Sequence, residues 1–162
     1  MGIVSSIITE NLIQKDGRRD ITEVHIDHLG IKHFVRWTAI NSATDINALM
    51  ILRIPSLWEN LIEQDINDAI SQVQGGADPR AVTLKYATAQ QAVKALLLWA
   101  FKNKAWEAWK VIPLIDSLTD TQLRNILEID QTKVNKIRAR IIGLKDIKTM
   151  VETDDPYIEG GV

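Results

Sequence analysis

The stretch from Ile21 to Thr38 constrains the fold of this chain more than any other. Ile21-Thr22-Glu23-Val24-His25-Ile26-Asp27 and Ile31-Lys32-His33-Phe34-Val35-Arg36-Trp37-Thr38 are rich in β-branched and aromatic residues. Such side chains suit a pleated, half-buried surface. Between them, His28-Leu29-Gly30 supplies a glycine able to take the positive φ of a tight turn. The pattern predicts a β-hairpin over 21–39. A register that sets Asp27 opposite Lys32 and Glu23 opposite Arg36 pairs the charges on one face. It also sets Val24 opposite Val35, Ile26 opposite His33 and Thr22 opposite Trp37, giving a mostly apolar second face. Val24, Val35 and Trp37 are then the expected buried face. A lone hairpin is marginal in water, so that face needs a cover.

Residues 1–20 read as an extended N-terminal arm closed by the turn Asp16-Gly17-Arg18-Arg19-Asp20. Its apolar residues (Ile3, Val4, Ile7, Ile8, Leu12, Ile13) exceed those of a free tail, and docking on the body or a neighbouring subunit is expected. Beyond Asn41-Ser42-Ala43-Thr44-Asp45 the apolar residues recur at three- and four-residue steps, which predicts a helical body over 44–150. Pro55 is expected to separate a short helix, about 44–53, from a longer one that starts near Ser56 and stops at Gly75-Gly76. A loop follows, with Asp78-Pro79 opening a turn.

Thr88 with Gln91 and Thr119 with Gln122 are capping boxes for two further helices. The first carries Val93, Leu96, Leu97, Ala100 and Phe101 inward and ends at Lys102-Asn103-Lys104; the second runs to about Glu128. Between them, a helix with Trp106, Trp109 and Ile112 should break at Pro113. Asp130 caps a last helix expected to stop at Gly143, ahead of an acidic tail over 151–162. The fold class is α+β, mainly α: the arm and hairpin on a body of about five or six helices, one domain overall.

Hydrophobic residues are 46% and charged residues 25% of the 162, the balance of a globular domain able to bury a core. Cysteine is absent, which excludes disulfides, thiol catalysis and cysteine-bound metals. A net charge of −2 supplies no global drive toward nucleic acid or anionic lipid. The apolar run Ala95–Phe101 is too short to span a bilayer, so no membrane partner is expected. The first fifteen residues lack a basic leader and do not read as a signal peptide. Met1-Gly2 with Ser6 fits the myristoylation pattern formally, but the pattern is too permissive to carry weight.

Catalytic chemistry is hard to find. No Gly-x-Ser-x-Gly elbow and no phosphate-binding loop occur. Asp65, Asp68, Glu107 and Asp116 are spaced as ordinary helix-surface carboxylates. His25 and His33 project from opposite faces in the expected register and His28 lies in the turn, which argues against a shared metal. No cofactor, metal or enzymatic activity is expected.

Nucleic acid is the strongest competing partner. Residues 119–142 read as helix, short turn, helix, and the second helix carries Lys133, Lys136, Arg138 and Arg140. Against it, Glu128 and Asp130 sit in the turn, and Val134, Ile137 and Ile141 mark the inward stripe that leaves the basic residues on the wet face. The acidic tail is a nearer partner for that face, on the same subunit or the next. Of five tryptophans, Trp58 and Trp99 fall in apolar stripes, whereas Trp37, Trp106 and Trp109 are candidate interface anchors.

Asp16-Gly17-Arg18-Arg19, then Thr22-Glu23-Val24-His25-Ile26-Asp27-His28-Leu29-Gly30, a second strand and a long apolar helix resemble a group of small bacteriophage proteins encoded among virion genes. Thr121-Gln122-Leu123-Arg124-Asn125-Ile126-Leu127 and Val134-Asn135-Lys136-Ile137-Arg138 are similar to their C-terminal half. The resemblance covers residues 16–62 and 117–141, and Pro55 departs from it. It implies a non-enzymatic tail, neck or baseplate component, present in several copies, made in the host cytoplasm and bound to other virion proteins. In that setting the arm and hairpin are the attachment elements, and Arg18 and Arg19 are expected to meet a partner's carboxylates.

Overall fold

The computed structural model describes residues 1–105 and 110–152. Trp106, Trp109 and the acidic tail beyond Glu152 lie outside the described residues. The chain is α+β and mainly helical. Three antiparallel strands, β1 (Ile3–Ile13), β2 (Arg19–Asp27) and β3 (Lys32–Ala39), form one sheet in the order β1-β2-β3. Among the described residues five α-helices follow: α1 (Ile46–Gln74), α2 (Ala89–Asn103), α3 (Ile112–Asp116), α4 (Asp120–Leu127) and α5 (Gln131–Glu152). They group into two compact units, Met1–Gln64 and Asp65–Val162, with the boundary inside α1.

In the first unit, the expected arm is a strand. β1 pairs with β2 from Ile3↔Asp27 to Ile13↔Arg19, with bulges at Ile3/Ser5 and Ile8/Glu10. Gly17 supplies the turn at φ 85°, where the Gly17 N–H donates to the Gln14 carbonyl. The β2–β3 register is one residue away from the charge-matched expectation: Glu23 faces Val35, Val24 faces Phe34 and His25 faces His33. The turn explains the shift. Gly30 adopts φ 79°, and the Asp27 side chain accepts the Leu29 and Ile31 N–H groups at 2.8 and 3.0 Å. That closes a three-residue loop in which Asp27 pairs with Ile31, so Lys32 falls opposite Ile26. A slip of one residue exchanges the faces of a strand. Val35 and Trp37 therefore share a face with Glu23 and His25, while Val24 lies on the other.

Helix α1 is continuous through Pro55, contrary to the expected break. Proline removes the bond to the carbonyl four residues back, that of Ile51. Ile51 and Pro55 both lie on the exposed side of α1, where an unbonded carbonyl is least costly, while Met50 and Leu61 are buried on the same helix. The C-terminus follows the expected pattern. Gly76, at φ 104°, donates to Val73 and Ala77 donates to Gln72, the paired bonds of a Schellman motif.

In the second unit Val73, Leu96, Leu97, Ala100, Ile115, Leu123, Val134 and Leu144 form the core. Both capping boxes form as expected. Helix α2 ends at Lys104, with φ 54°, and α4 at Glu128, with φ 56°. Pro113 sits in the first turn of α3 and starts that helix rather than breaking one, because its missing N–H is unneeded there. The Asp130 side chain caps α5 by accepting from the Lys133 N–H at 2.9 Å. Gly143 does not stop this helix. A mid-helix glycine costs about 1 kcal/mol, whereas the next residue, Leu144, is buried in the core, a gain of about 1.5–3 kcal/mol.

Candidate functional site

The sheet's two faces differ in chemistry. On one, Glu23 and His25 have no exposed side-chain surface. Glu23 is the centre of a polar cluster: its Oε1 accepts from Trp37 Nε1 at 2.6 Å, and its Oε2 accepts from Arg53 Nε on α1 at 3.2 Å. The Arg53 guanidinium also lies over the Trp37 ring, 5.2 Å from its centroid, a cation–π contact. His25 Nε2 lies 2.9 Å from the same carboxylate oxygen, and His25 Nδ1 lies 2.7 Å from Ser6 Oγ on β1. A carboxylate only accepts, so His25 donates from Nε2, and Ser6 is then positioned to donate to Nδ1. His33 Nε2 makes a parallel contact with Asp27 Oδ2 at 2.9 Å.

Two readings of the sequence are corrected and one arrangement is added. His25 and His33 share a face instead of opposing each other. Ser6, His25 and Glu23 make a hydroxyl–imidazole–carboxylate string on neighbouring strands, the order of a proton relay, which no local glycine pattern announces. Asp65 is not a surface carboxylate: it is 6% exposed and accepts the backbone N–H groups of Lys85, Tyr86 and Ala87, the last at 2.7 Å. Three of the cluster's members are committed to one carboxylate, Trp37 and Arg53 among them, so its chemistry is that of a buried tie. No group of three or more His, Asp or Glu side chains among the described residues is placed to hold a metal ion.

The opposite face is open, with an apolar row across the three strands among polar neighbours such as Glu10, Thr22 and Arg36. Val24, 5% exposed, is flanked across the strands by Ile7 and Phe34, which are 52% and 60% exposed. On β1, which is an edge strand, Val4, Leu12 and Ile13 are exposed as well. An edge strand presents unpaired backbone groups, and its bulges limit how far another strand pairs with it. Of the expected attachment residues, Val24 lies on this face, while Val35 and Trp37 face the buried cluster. Arg18 is paired with Asp16 in its own turn at 2.5 Å, and this bond holds the Asp16 carboxyl below its usual range. Arg19 donates to the Thr44 carbonyl at 2.9 Å.

The basic helix α5 is partly spoken for. Arg138 donates to the Ile115 and Leu118 carbonyls at 2.9 and 2.6 Å and to Asp120 at 3.1 Å, tying the α3–α4 junction to α5. Lys145 pairs with Asp116. Lys133 and Lys136 are exposed and rim an apolar groove with Leu98, Phe101, Leu127, Ile129 and Ile137. A helix that spends Arg138 on internal carbonyls keeps less charge for a phosphate backbone.

No known protein family, curated protein or solved structure matches the chain. No helix among the described residues is long and apolar enough to cross a membrane.

Proposed function

We propose that the protein is a non-enzymatic structural component of a bacteriophage particle, an adaptor or accessory part of the tail, neck or baseplate. Its sheet is the element that attaches it to other virion proteins. The observation that carries this reading is the apolar row across the outer face, where Ile7 and Phe34 stand exposed beside Val24. Contiguous exposed apolar residues on a sheet with a long edge strand mark a surface that other chains cover. The buried cluster around Glu23 supports the same role, because it stiffens the sheet from behind. The phage setting rests on the resemblance of residues 16–62 and 117–141 to small virion proteins.

Hydrogen exchange compares the free chain with the assembled particle. Slower exchange in β1 and β3 upon assembly is the expected result, and unchanged exchange over residues 1–39 refutes the attachment role. A salt-sensitive gel shift with duplex DNA, abolished by Lys133→Glu with Lys136→Glu, would instead favour a nucleic-acid-binding protein that uses α4 and α5.

A further inference from the structure

The two edges of the sheet are built differently, and β3 is the one suited to receive another strand. The β1 edge is broken by bulges at Ile3/Ser5 and Ile8/Glu10, and each interrupts the row of backbone groups that a neighbour would need. The β3 edge is regular. Its pairing with β2 runs without a shift from Lys32↔Ile26 to Ala39↔Arg19, and among the described residues no strand pairs with its other side. Such an edge offers N–H and C=O groups at strand spacing, which another extended peptide matches as a ladder and a nucleic acid does not.

The side chains select the peptide. On the outer face β3 presents Lys32, Phe34 and Arg36 at alternate positions, all exposed, with Phe34 at 60%. Neither Lys32 nor Arg36 has a hydrogen-bonding or ionic partner among the described residues. The nearby carboxylates of the same face are engaged by neutral groups. Glu10 accepts from the Thr22 hydroxyl at 2.8 Å, and Asp20 accepts from the Thr38 hydroxyl at 2.9 Å and from Gln14. The uncommitted charge along this edge is therefore positive. It also acts against a second copy of the chain. An antiparallel β3–β3 pair that matches Phe34 with Phe34 sets Lys32 opposite Arg36 twice, and like charges directly opposite are destabilising. A strand with carboxylates at those two places and an apolar side chain between them reverses the sign of both contacts and covers Phe34.

We infer that the β3 edge receives an extended segment of a partner protein that carries an acidic, an apolar and an acidic residue at alternate positions, opposite Arg36, Phe34 and Lys32. This deepens the attachment role proposed for the sheet and rests on it. Exposed ion pairs select the partner and set its register more than they hold it, and the backbone ladder with the cover of Phe34 supplies the hold.

The test uses the full chain, isotope-labelled for amide NMR, and a synthetic end-capped peptide of sequence threonine–aspartate–valine–phenylalanine–valine–glutamate–threonine at up to millimolar concentration. The amide resonances of residues 32–39 should shift and saturate, and their hydrogen exchange should slow. Lys32→Glu with Arg36→Glu should weaken this binding about tenfold and should create binding to the same peptide with lysines in place of its two acids. Both positions are exposed, and an unchanged thermal melt verifies the fold. Amides of β3 that do not respond, or that respond equally to the acidic and the lysine peptide, overturn the inference. A stronger response to oligothymidylate also overturns it, by making the strip a stacking site for single-stranded nucleic acid. So do β3 resonances that move with the concentration of the chain alone, the mark of a second copy. None of these outcomes removes the attachment role, which falls when residues 1–39 exchange equally in the free chain and in the particle.

Discussion

Glu23 has no exposed side-chain surface and accepts from Trp37 and Arg53 while His25 leans on the same oxygen. Burying a carboxylate is tolerable only because these donors replace water. Such a tie need not add net stability over an apolar core, but removing one side of it is costly, about 3–5 kcal/mol. Glu23→Ala should fall toward the low end, because Arg53 retains access to water and relaxes into it. Glu23→Gln should cost less, since its amide oxygen still accepts from Trp37. Urea unfolding followed by tryptophan fluorescence measures both, and a loss below about 1 kcal/mol for Glu23→Ala would remove the cluster's structural role. None of this was legible in the residues alone. Cross-strand charge matching favoured the register with Glu23 opposite Arg36, whereas the turn chemistry of Asp27 and Gly30 selected the neighbouring one. Charge pairs on an exposed sheet are worth a few tenths of a kcal/mol to about 1, too little to outweigh a closed turn and the burial of the correct face. Asp65 was missed for a related reason: its partners are backbone N–H groups twenty residues away, which leave no side-chain signature.

Among the elements, the ends were easier to read than the middles. Thr88 with Gln91 and Thr119 with Gln122 form their capping boxes because the bonds involved are local, spanning three residues. Gly143 misled because its local penalty is overridden by burial of Leu144 beside it, and Pro55 because it sits on the exposed side of a helix held by more distant buried residues such as Met50 and Leu61. This makes Pro55→Ala informative. Proline in a helix interior is less favourable than alanine by about 3 kcal/mol, so the substitution should raise stability by roughly 1–3 kcal/mol, read as a higher urea midpoint with unchanged slope. Unchanged stability would mean that the freed Ile51 carbonyl carries no local penalty here. The acid limb takes a contribution from a different contact. Asp120, at the start of α4, is held below its ordinary value of 3.8 by hydrogen bonds from Gln131 and then Arg138. The unfolded chain binds that proton more readily, so the stabilisation is complete above the ordinary value and is lost as pH falls through the depressed one. Wild type should lose stability between pH 4 and pH 2 more steeply than Asp120→Asn, compared by thermal melts. Equal slopes would show that the clasp does not act in solution.

At the scale of the whole molecule, the outer sheet face and the groove make different demands on the solvent. The sheet face depends on Ile7, Val24 and Phe34 and on apolar burial, which screening by salt does not weaken and sulfate strengthens. Any contact made through the Lys133 and Lys136 ammonium groups on the groove's rim is one that salt does weaken. The two surfaces are therefore separable in one purified chain. Burying a Phe or Ile side chain contributes about 1.5–3 kcal/mol, so Ile7→Lys with Phe34→Lys should raise at least tenfold the concentration at which the chain joins the assembled particle, while leaving any self-association of the purified chain in place. The defect should be as large at high salt as at low salt. Both side chains are more than half exposed, so the melting temperature should change little. In sedimentation velocity, self-association that survives this pair of substitutions would leave the sheet face for a different protein. Association lost at every salt concentration would make the sheet itself the subunit contact. The attachment role proposed for residues 1–39 requires the first of these outcomes, because a sheet already covered by a copy of the same chain has no face left for another component.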